Sequence, residues 1–352
     1  MIRRALVGTL LGAVTLSAQV LLLRELWCAL WGSEAMAGMA VGVWLASGGL
    51  GSWAAGRAAR SADSARAWLP RALAALALGL PGAVLLLRWL PDAAEMPGVG
   101  ASLLWAGASL GAVGFVSGAL FPLALRAVFG SEHEAAVLYR WDMLGSLAAG
   151  LLLTAAVLAA GPGTLLTACG VSCAALVLAA QLAVSGRSAR WILTGGLVAA
   201  CAAAAFLDID RATLGWRHPG EEVVLTAETA AGRVVVAARE GQRNVYLSGR
   251  FEGSPDSPER AEAVAVLTAA ESGRVGRVLV IGGPLADVGG QLARWGARVT
   301  AAVPARLPVE APAGLDFRVG DGRAALRSGN ESYDAIVIDP GGPGTFCVAR
   351  LL

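Results

Sequence analysis

The chain has 352 residues, of which 56% are hydrophobic and only 15% are charged, and its mean hydropathy is +0.62. About a quarter of the residues in an ordinary soluble domain are charged, so this composition excludes a purely soluble protein. The formal net charge of +2 excludes the basic footprint of a nucleic-acid-binding protein, and we expect no nucleic-acid partner.

The charged residues are distributed unevenly along the chain. Residues 1–209 contain 21 charged residues, about 10%, whereas residues 210–352 contain 33, about 23%. This difference predicts a transmembrane helical domain over 1–209, in contact with the lipid bilayer, followed by a water-soluble part.

A helix needs about 20 mostly apolar residues to cross a bilayer, and seven stretches of the first part meet this requirement. Their abundant Gly and Ala predict a tightly packed bundle. Arginines concentrate before the first stretch and between the second and third, which places these segments in the cytoplasm and, with seven spans, the soluble part outside. One miscounted span would reverse that orientation. The predicted spans are residues 5–31, 35–56, 69–90, 100–128, 136–160, 164–185 and 190–208.

Two pairs of ionisable residues fall within predicted spans: Arg24 with Glu25, and Arg140 with Asp142. Charge inside a membrane is costly and is usually paired or functional. Two interpretations remain open, namely a polar path for a substrate and two local ion pairs that fix helix packing. In the fourth span, Pro122 predicts a kink.

The soluble part begins with short β-type stretches. Gly232 to Ala238 (GRVVVAA) and Asn244 to Leu247 (NVYL) predict a hairpin, and hence a small β-hairpin domain over 210–257. The remaining residues, 258–352, alternate between helix and strand and predict a doubly wound, Rossmann-like parallel sheet. The predicted elements are a helix at 258–270, a strand at 278–281, a helix at 286–294, strands at 298–303 and 316–319, a helix at 323–328 and a strand at 333–338.

Ligands of such sheets bind at the carboxyl ends of the strands. Gly282 and Gly283 follow the first strand, Asp321 follows the third and Asp339 follows the fourth. We therefore select these four residues as the candidate site, although Asp321 alone is equally typical of a helix N-cap. The five cysteines show no spacing typical of a disulfide framework or a zinc site, so we expect no metal.

The order of these motifs resembles the spermidine synthase family of polyamine aminopropyltransferases, and in particular its bacterial members that carry transmembrane helices before the catalytic domain. The resemblance extends over most of the chain. The segments that carry it are QVLLLR at 19–24, GGLGSWAAGR at 48–57, Glu228-Thr229 with Gly232 to Val236, Gly241-Gln242 with Tyr246 to Gly249, the Gly-Gly and Gly-Asp-Gly turns, and YDAIVIDP at 333–340.

The resemblance implies a multi-pass protein of the bacterial inner membrane with a methyltransferase-type sheet. It also implies transfer of an aminopropyl group from decarboxylated S-adenosylmethionine, a co-substrate rather than a cofactor, to putrescine. Asp339 matches the carboxylate that holds or deprotonates the attacking amine, and Asp321 matches the residue that contacts the adenine amine. Gly282 and Gly283 match the start of the nucleoside-binding turn.

Several positions depart from the family pattern. Residues 284 and 285 of the glycine-rich turn are Pro and Leu, and Val303 and Ala305 stand where the family has acids. Ala265, Glu252 and Gly342 replace a His, a Gln and an Asp. These departures leave open a second hypothesis, a catalytically silent relative whose helical bundle transports or senses a small cationic solute.

The predicted sheet also has fewer strands than the family's seven or so. The sequence stops shortly after the fourth strand, which would leave a strand edge exposed. We therefore expect either a fragment or a sheet completed by a homo-oligomer or another partner, with a polyamine as the expected small-molecule ligand.

Overall fold

The computed structural model describes most of the chain, and every structural statement below refers to its described residues. It divides the chain into two compact units, Met1–Leu30 with Ala35–Arg217, and Trp31–Glu34 with His218–Leu352. The described residues are 2–29, 34–89, 104–105, 107–130, 134–160, 163–183, 194–196, 198–199, 209–229, 232–256, 259–273, 275–282, 287–303, 313–320, 322–328 and 332–339.

The first unit is helical. A short helix, α7, continues into a 3-10 turn at Gly215–Arg217 at the end of this unit. The described helices are α1 (Ile2–Ala29), α2 (Glu34–Ala58), α3 (Ala62–Trp89), α4 (Gly107–Phe129), α5 (Ala135–Ala160), α6 (Thr164–Ala183) and α7 (Ile209–Leu214).

Five of these helices, α1, α3, α4, α5 and α6, are long and apolar enough to cross a membrane. The prediction of a multi-span membrane bundle is confirmed to this extent. The second predicted span corresponds to α2, which is not among the five, and most of the seventh, 190–208, lies outside the described residues.

Helix α3 lies at the centre of the bundle, where it packs against α6, α4 and α1. Its leucines recur at helical spacing, and Leu69, Leu73, Leu76 and Leu80 are each at most 1% exposed. This recurrence gives α3 an apolar stripe that its neighbours cover.

Pro122 lies within α4, three residues before the π-helical turn Leu125–Phe129. Proline lacks a backbone N–H, and π turns are local adjustments that helices make at such irregular sites. Arg126 in this turn donates hydrogen bonds from Nη1 to the carbonyl oxygens of Gly56 and Ala59, at the end of α2. The irregular turn therefore carries a side chain that caps a neighbouring helix.

The second unit begins with an antiparallel sheet in the order β1-β2-β3-β4. The predicted hairpin is confirmed as β2 and β3, joined by Glu240 and Gly241, which both have positive φ as the tightest hairpin turns require. The strands are β1 (Glu222–Thr229), β2 (Gly232–Arg239), β3 (Gln242–Leu247) and β4 (Arg250–Gly253).

A parallel sheet follows, in the order β7-β6-β5-β8. Strand β5 is buried on both faces: Val278 and Val280 pack with residues of α8 and α9, and Leu279 and Ile281 pack with a residue of α10. Its continuous apolar run is the pattern expected of a covered parallel strand. The elements are α8 (Glu259–Ser272), β5 (Arg277–Gly282), α9 (Asp287–Arg294), β6 (Arg298–Val303), β7 (Leu315–Val319), α10 (Gly322–Ser328) and β8 (Ala335–Asp339).

Candidate functional site

The carboxyl edge of the parallel sheet brings two of the four predicted site residues together. Gly282 ends β5 and Asp339 ends β8, and the two residues are partners in the register of these neighbouring strands. The chain order of the strands reverses between β5 and β8, because β6 and β7 lie on the other side of β5. A crevice for ligands forms at such a reversal in open parallel sheets.

Gly282 is buried and has a φ of +86°. A residue with a Cβ rarely adopts this conformation, so glycine is required where the strand turns into the following segment.

The neighbouring strand end is apolar. Val303 ends β6, is 1% exposed, and its carbonyl oxygen accepts a hydrogen bond of 2.9 Å from the amide of Gly320. The position therefore supplies no carboxylate at this edge of the sheet.

The other two predicted residues, Gly283 and Asp321, lie outside the described residues, as do Pro284 and Ala305. Their selection stays a prediction. Gly322, which begins α10, is described, and a side chain there would collide with Ile281 of β5.

An acid at the opposite edge of the sheet has a structural role. Oδ2 of Asp334 accepts hydrogen bonds from the backbone amides of Gly276 and Arg277, at 3.0 and 2.7 Å. Asp334 thus fastens the start of β8 to the start of β5, whereas Asp339 ends β8 at the carboxyl edge.

The helical unit contains a buried polar cluster that the sequence analysis did not predict. Arg88 of α3 is completely buried, and its Nε donates a 2.7 Å hydrogen bond to Glu25 of α1, which is also completely buried. Its Nη2 donates to Oδ1 of Asp210 at 2.6 Å, and its Nη1 donates to Oγ1 of Thr213. We call Glu25, Arg88, Asp210 and Thr213 the Arg88 cluster.

Asp210 also caps α6. Its two carboxylate oxygens accept 3.0 Å hydrogen bonds from the backbone amides of Leu165 and Leu166, in the first turn of that helix. A side chain at Gly163 would collide with this carboxylate. A helix N-terminus carries a partial positive charge of roughly half an elementary charge. This partial charge stabilises the carboxylate of Asp210 and offsets part of the excess negative charge of the cluster.

The Arg88 cluster changes the expected ion-pair partner of Glu25 and the expected end of the helical part. Glu25 pairs with Arg88 of a different helix, so it is not limited to a local partnership with Arg24. Helix α7, which carries Asp210 beyond the expected boundary at residue 209, belongs to the helical unit. An arginine at the end of an apolar helix was the one sequence signal for this cluster.

The structure also differs from the expectation that Arg140 forms an ion pair with Asp142. The guanidinium of Arg140 lies over the ring of Trp141, 5.4 Å from its centre. Within the described part of the chain, Asp142 has no ion pair or hydrogen bond through its carboxylate. Residues two apart on a helix do not face each other, which explains why the local pair does not form.

The antiparallel sheet holds a further polar group. The carboxylate of Glu221 accepts hydrogen bonds from Nδ2 of Asn244, at 2.6 Å, and from the hydroxyl of Tyr246, at 3.0 Å. The ring of His218 packs on that of Tyr246, with 4.4 Å between their centres. These contacts tie the segment before β1 to β3.

Among the described residues, no group of three or more His, Cys, Asp or Glu side chains is placed to hold a metal ion. No family model, curated protein or solved structure matches the chain.

Proposed function

We propose that this protein is a membrane-bound, spermidine synthase-like protein of the bacterial inner membrane whose second unit binds an S-adenosyl-type nucleoside at the carboxyl edge of a Rossmann-like sheet. The observation that carries the proposal is the register pairing of Gly282 with Asp339 beside the reversal of strand order. Glycine and a carboxylate at this point supply close backbone approach and a negative charge, which an aminopropyl donor and an amine acceptor both require.

The implied reaction is a nucleophilic displacement. The neutral amine of putrescine attacks the methylene carbon next to the sulfonium of decarboxylated S-adenosylmethionine. A C–N bond forms, the C–S bond breaks, and its electron pair stays on sulfur as a thioether. The attacking nitrogen gives up one proton, and Asp339, whose backbone lies at this edge, is the group that we assign to hold the amine and accept the proton.

The buried Val303 favours a second candidate, a catalytically silent relative. An apolar residue at the end of β6 leaves the ribose hydroxyls of a nucleoside without the acid that would accept their hydrogen bonds. This candidate predicts weak nucleoside binding and no turnover.

The test uses the full chain purified in detergent. Decarboxylated S-adenosylmethionine and putrescine are added, and spermidine is measured by mass spectrometry. The proposal predicts turnover that Asp339→Asn abolishes, whereas Asp316→Asn, a matched change at an exposed residue of β7, leaves turnover intact. Turnover that persists in Asp339→Asn would refute the role of that residue.

Isothermal titration calorimetry separates the two candidates. Nucleoside binding without turnover would support the silent relative, and the absence of any nucleoside binding would overturn the proposal for the second unit.

A further inference from the structure

The helical unit contains an internal sequence repeat. Residues 50–56 of α2 read LGSWAAG and residues 144–150 of α5 read LGSLAAG, so six of seven positions are identical at an offset of 94. A second repeat links α1 and α4, where Gly8 and Gly12 correspond to Gly114 and Gly118 at an offset of 106.

The same offsets relate the helix contacts. A methyl group added at Gly12 would collide with the backbone carbonyl of Asp142, and one added at Gly118 would collide with the backbone carbonyl of Gly48. Gly118 corresponds to Gly12 at the offset of 106, and Asp142 corresponds to Gly48 at the offset of 94. The two contacts are therefore equivalent. Small residues let helix backbones approach this closely.

The reciprocal contacts obey the same rule. A methyl group at Gly145 would collide with the carbonyl of Thr9, and one at Gly51 would collide with the carbonyl of Phe115. The α1–α5 crossing and the α4–α2 crossing are therefore the same packing arrangement built twice.

Two further helix contacts follow the same correspondence. Helix α1 packs against α6 as α4 packs against α3, and α3 packs against α6. Helices α1 to α3 thus correspond to α4 to α6. The two sets run in opposite directions, because Arg4 at the start of α1 donates a hydrogen bond to the carbonyl of Phe129 at the end of α4.

A repeat of three helices with inverted direction is the architecture of many secondary transporters, in which solutes bind near the middle of the membrane between the repeats. Related helices can then exchange conformations so that the binding region opens to one side and afterwards to the other. The repeat contacts lie near the middle of the spans: Gly118 occupies the centre of α4, which covers Gly107–Phe129.

Asp142 breaks this symmetry. Its counterpart in the first repeat is Gly48, which makes the equivalent backbone contact without a side chain. The carboxylate is therefore not needed for helix packing. It lies about 8 Å along the helix axis from the middle of α5. A charge there is costly, and its carboxylate has no ion pair or hydrogen bond among the described residues.

The second repeat holds two further polar groups in its spans. The hydroxyls of Ser117 in α4 and Ser172 in α6 are buried and have no hydrogen-bond partner among the described residues. A carboxylate in a span matches an ammonium group, which carries one positive charge and several N–H donors.

We infer that the helical unit is an inverted-repeat transport unit for a small ammonium cation, with Asp142 as the membrane-embedded carboxylate that neutralises it. The inference goes beyond the function proposed for the second unit and stands without it. It adds to the transport hypothesis a class of substrate, the small ammonium cations, and a residue that neutralises the substrate, Asp142.

The experiment measures uptake of radiolabelled methylammonium and putrescine by liposomes that contain the full-length protein. We expect uptake above that of protein-free liposomes, and loss of it in Asp142→Asn. The variant Asp142→Gly gives the second repeat the residue of the first, so it should fold and insert normally and also lose uptake. Asp63→Asn, which alters an exposed acid in the first turn of α3, should retain uptake.

Uptake of neither probe, or equal uptake by the wild-type protein and Asp142→Gly, would overturn the inference. Uptake of rubidium ion without either amine would overturn the assignment to an ammonium cation. Since aminopropyl transfer is measured separately in detergent, failure of transport and failure of the proposed function are distinguishable.

Discussion

Replacing Arg88 by methionine should destabilise the helical unit strongly. Methionine has a similar length but no charge, so the change leaves the buried carboxylates of Glu25 and Asp210 without their cation. Asp210 keeps its two hydrogen bonds from the first turn of α6, whereas Glu25 is completely buried and loses its ion-pair partner. Most of the penalty therefore comes from Glu25.

The expected magnitude follows from this geometry. Breaking a buried ion pair by removing one partner costs about 3–5 kcal/mol, because an uncompensated charge stays buried. For a unit of roughly 200 residues, each kcal/mol lowers the melting temperature by about 2–4 °C, so the expected decrease is about 6–20 °C. The double variant Arg88→Met with Glu25→Gln removes the uncompensated charge and should recover much of the loss.

Thermal unfolding in detergent, followed by tryptophan fluorescence, measures these shifts. Arg71→Met is a matched control, because that arginine is exposed and stacks on Trp68 at 5.4 Å, an interaction worth about 0.5–1 kcal/mol. A decrease for Arg88→Met no larger than that of the control, or a double variant less stable than the single one, would refute the reasoning.

Three further predictions concern other parts of the molecule. Gly51→Ala should destabilise the bundle through a backbone collision, whereas Gly49→Ala, in open space two residues away, should stabilise the helix by up to about 1 kcal/mol; both are measured by thermal unfolding. Gly322→Val should lower the melting temperature of the second unit by displacing α10 from β5, and a melting temperature equal to that of wild type would contradict the contact. The hydrogen bond from the Arg243 side chain lowers the pKa of Asp256 below its ordinary 3.8, so its stabilising effect is present above that pH and is lost as the pH falls through the lowered pKa. Arg243→Gln should return the carboxyl titration, followed by NMR of selectively labelled aspartate, to the ordinary value.

Much of the fold could be predicted from local patterns. Strand β6 covers the predicted residues Arg298–Val303, and the apolar run before Gly282 forms the covered strand β5. Strand β4, Arg250–Gly253, was not predicted as a strand, because four residues with mixed polarity form one only by pairing with β3.

The polar contacts were harder to predict than the elements. Sequence neighbours suggested that Arg140 would pair with Asp142, but residues two apart point in different directions on a helix. The partners of Arg88 come from residues 63 and 122 positions away, which no local pattern relates. At the sheet edge, the strand ends gave Gly282 and Asp339 their positions because parallel strands align their carboxyl ends.

The Arg88 cluster also has a consequence for synthesis. Glu25 and Arg88 emerge from the ribosome early, but Asp210 follows Arg88 only after 122 residues, a delay of about 6–24 s at ordinary translation rates. Until then the start of α6 lacks its cap and Arg88 has a single carboxylate. The bundle therefore reaches its final stability only after α7 has been synthesised. This step comes just before the segment of the second unit that begins at His218.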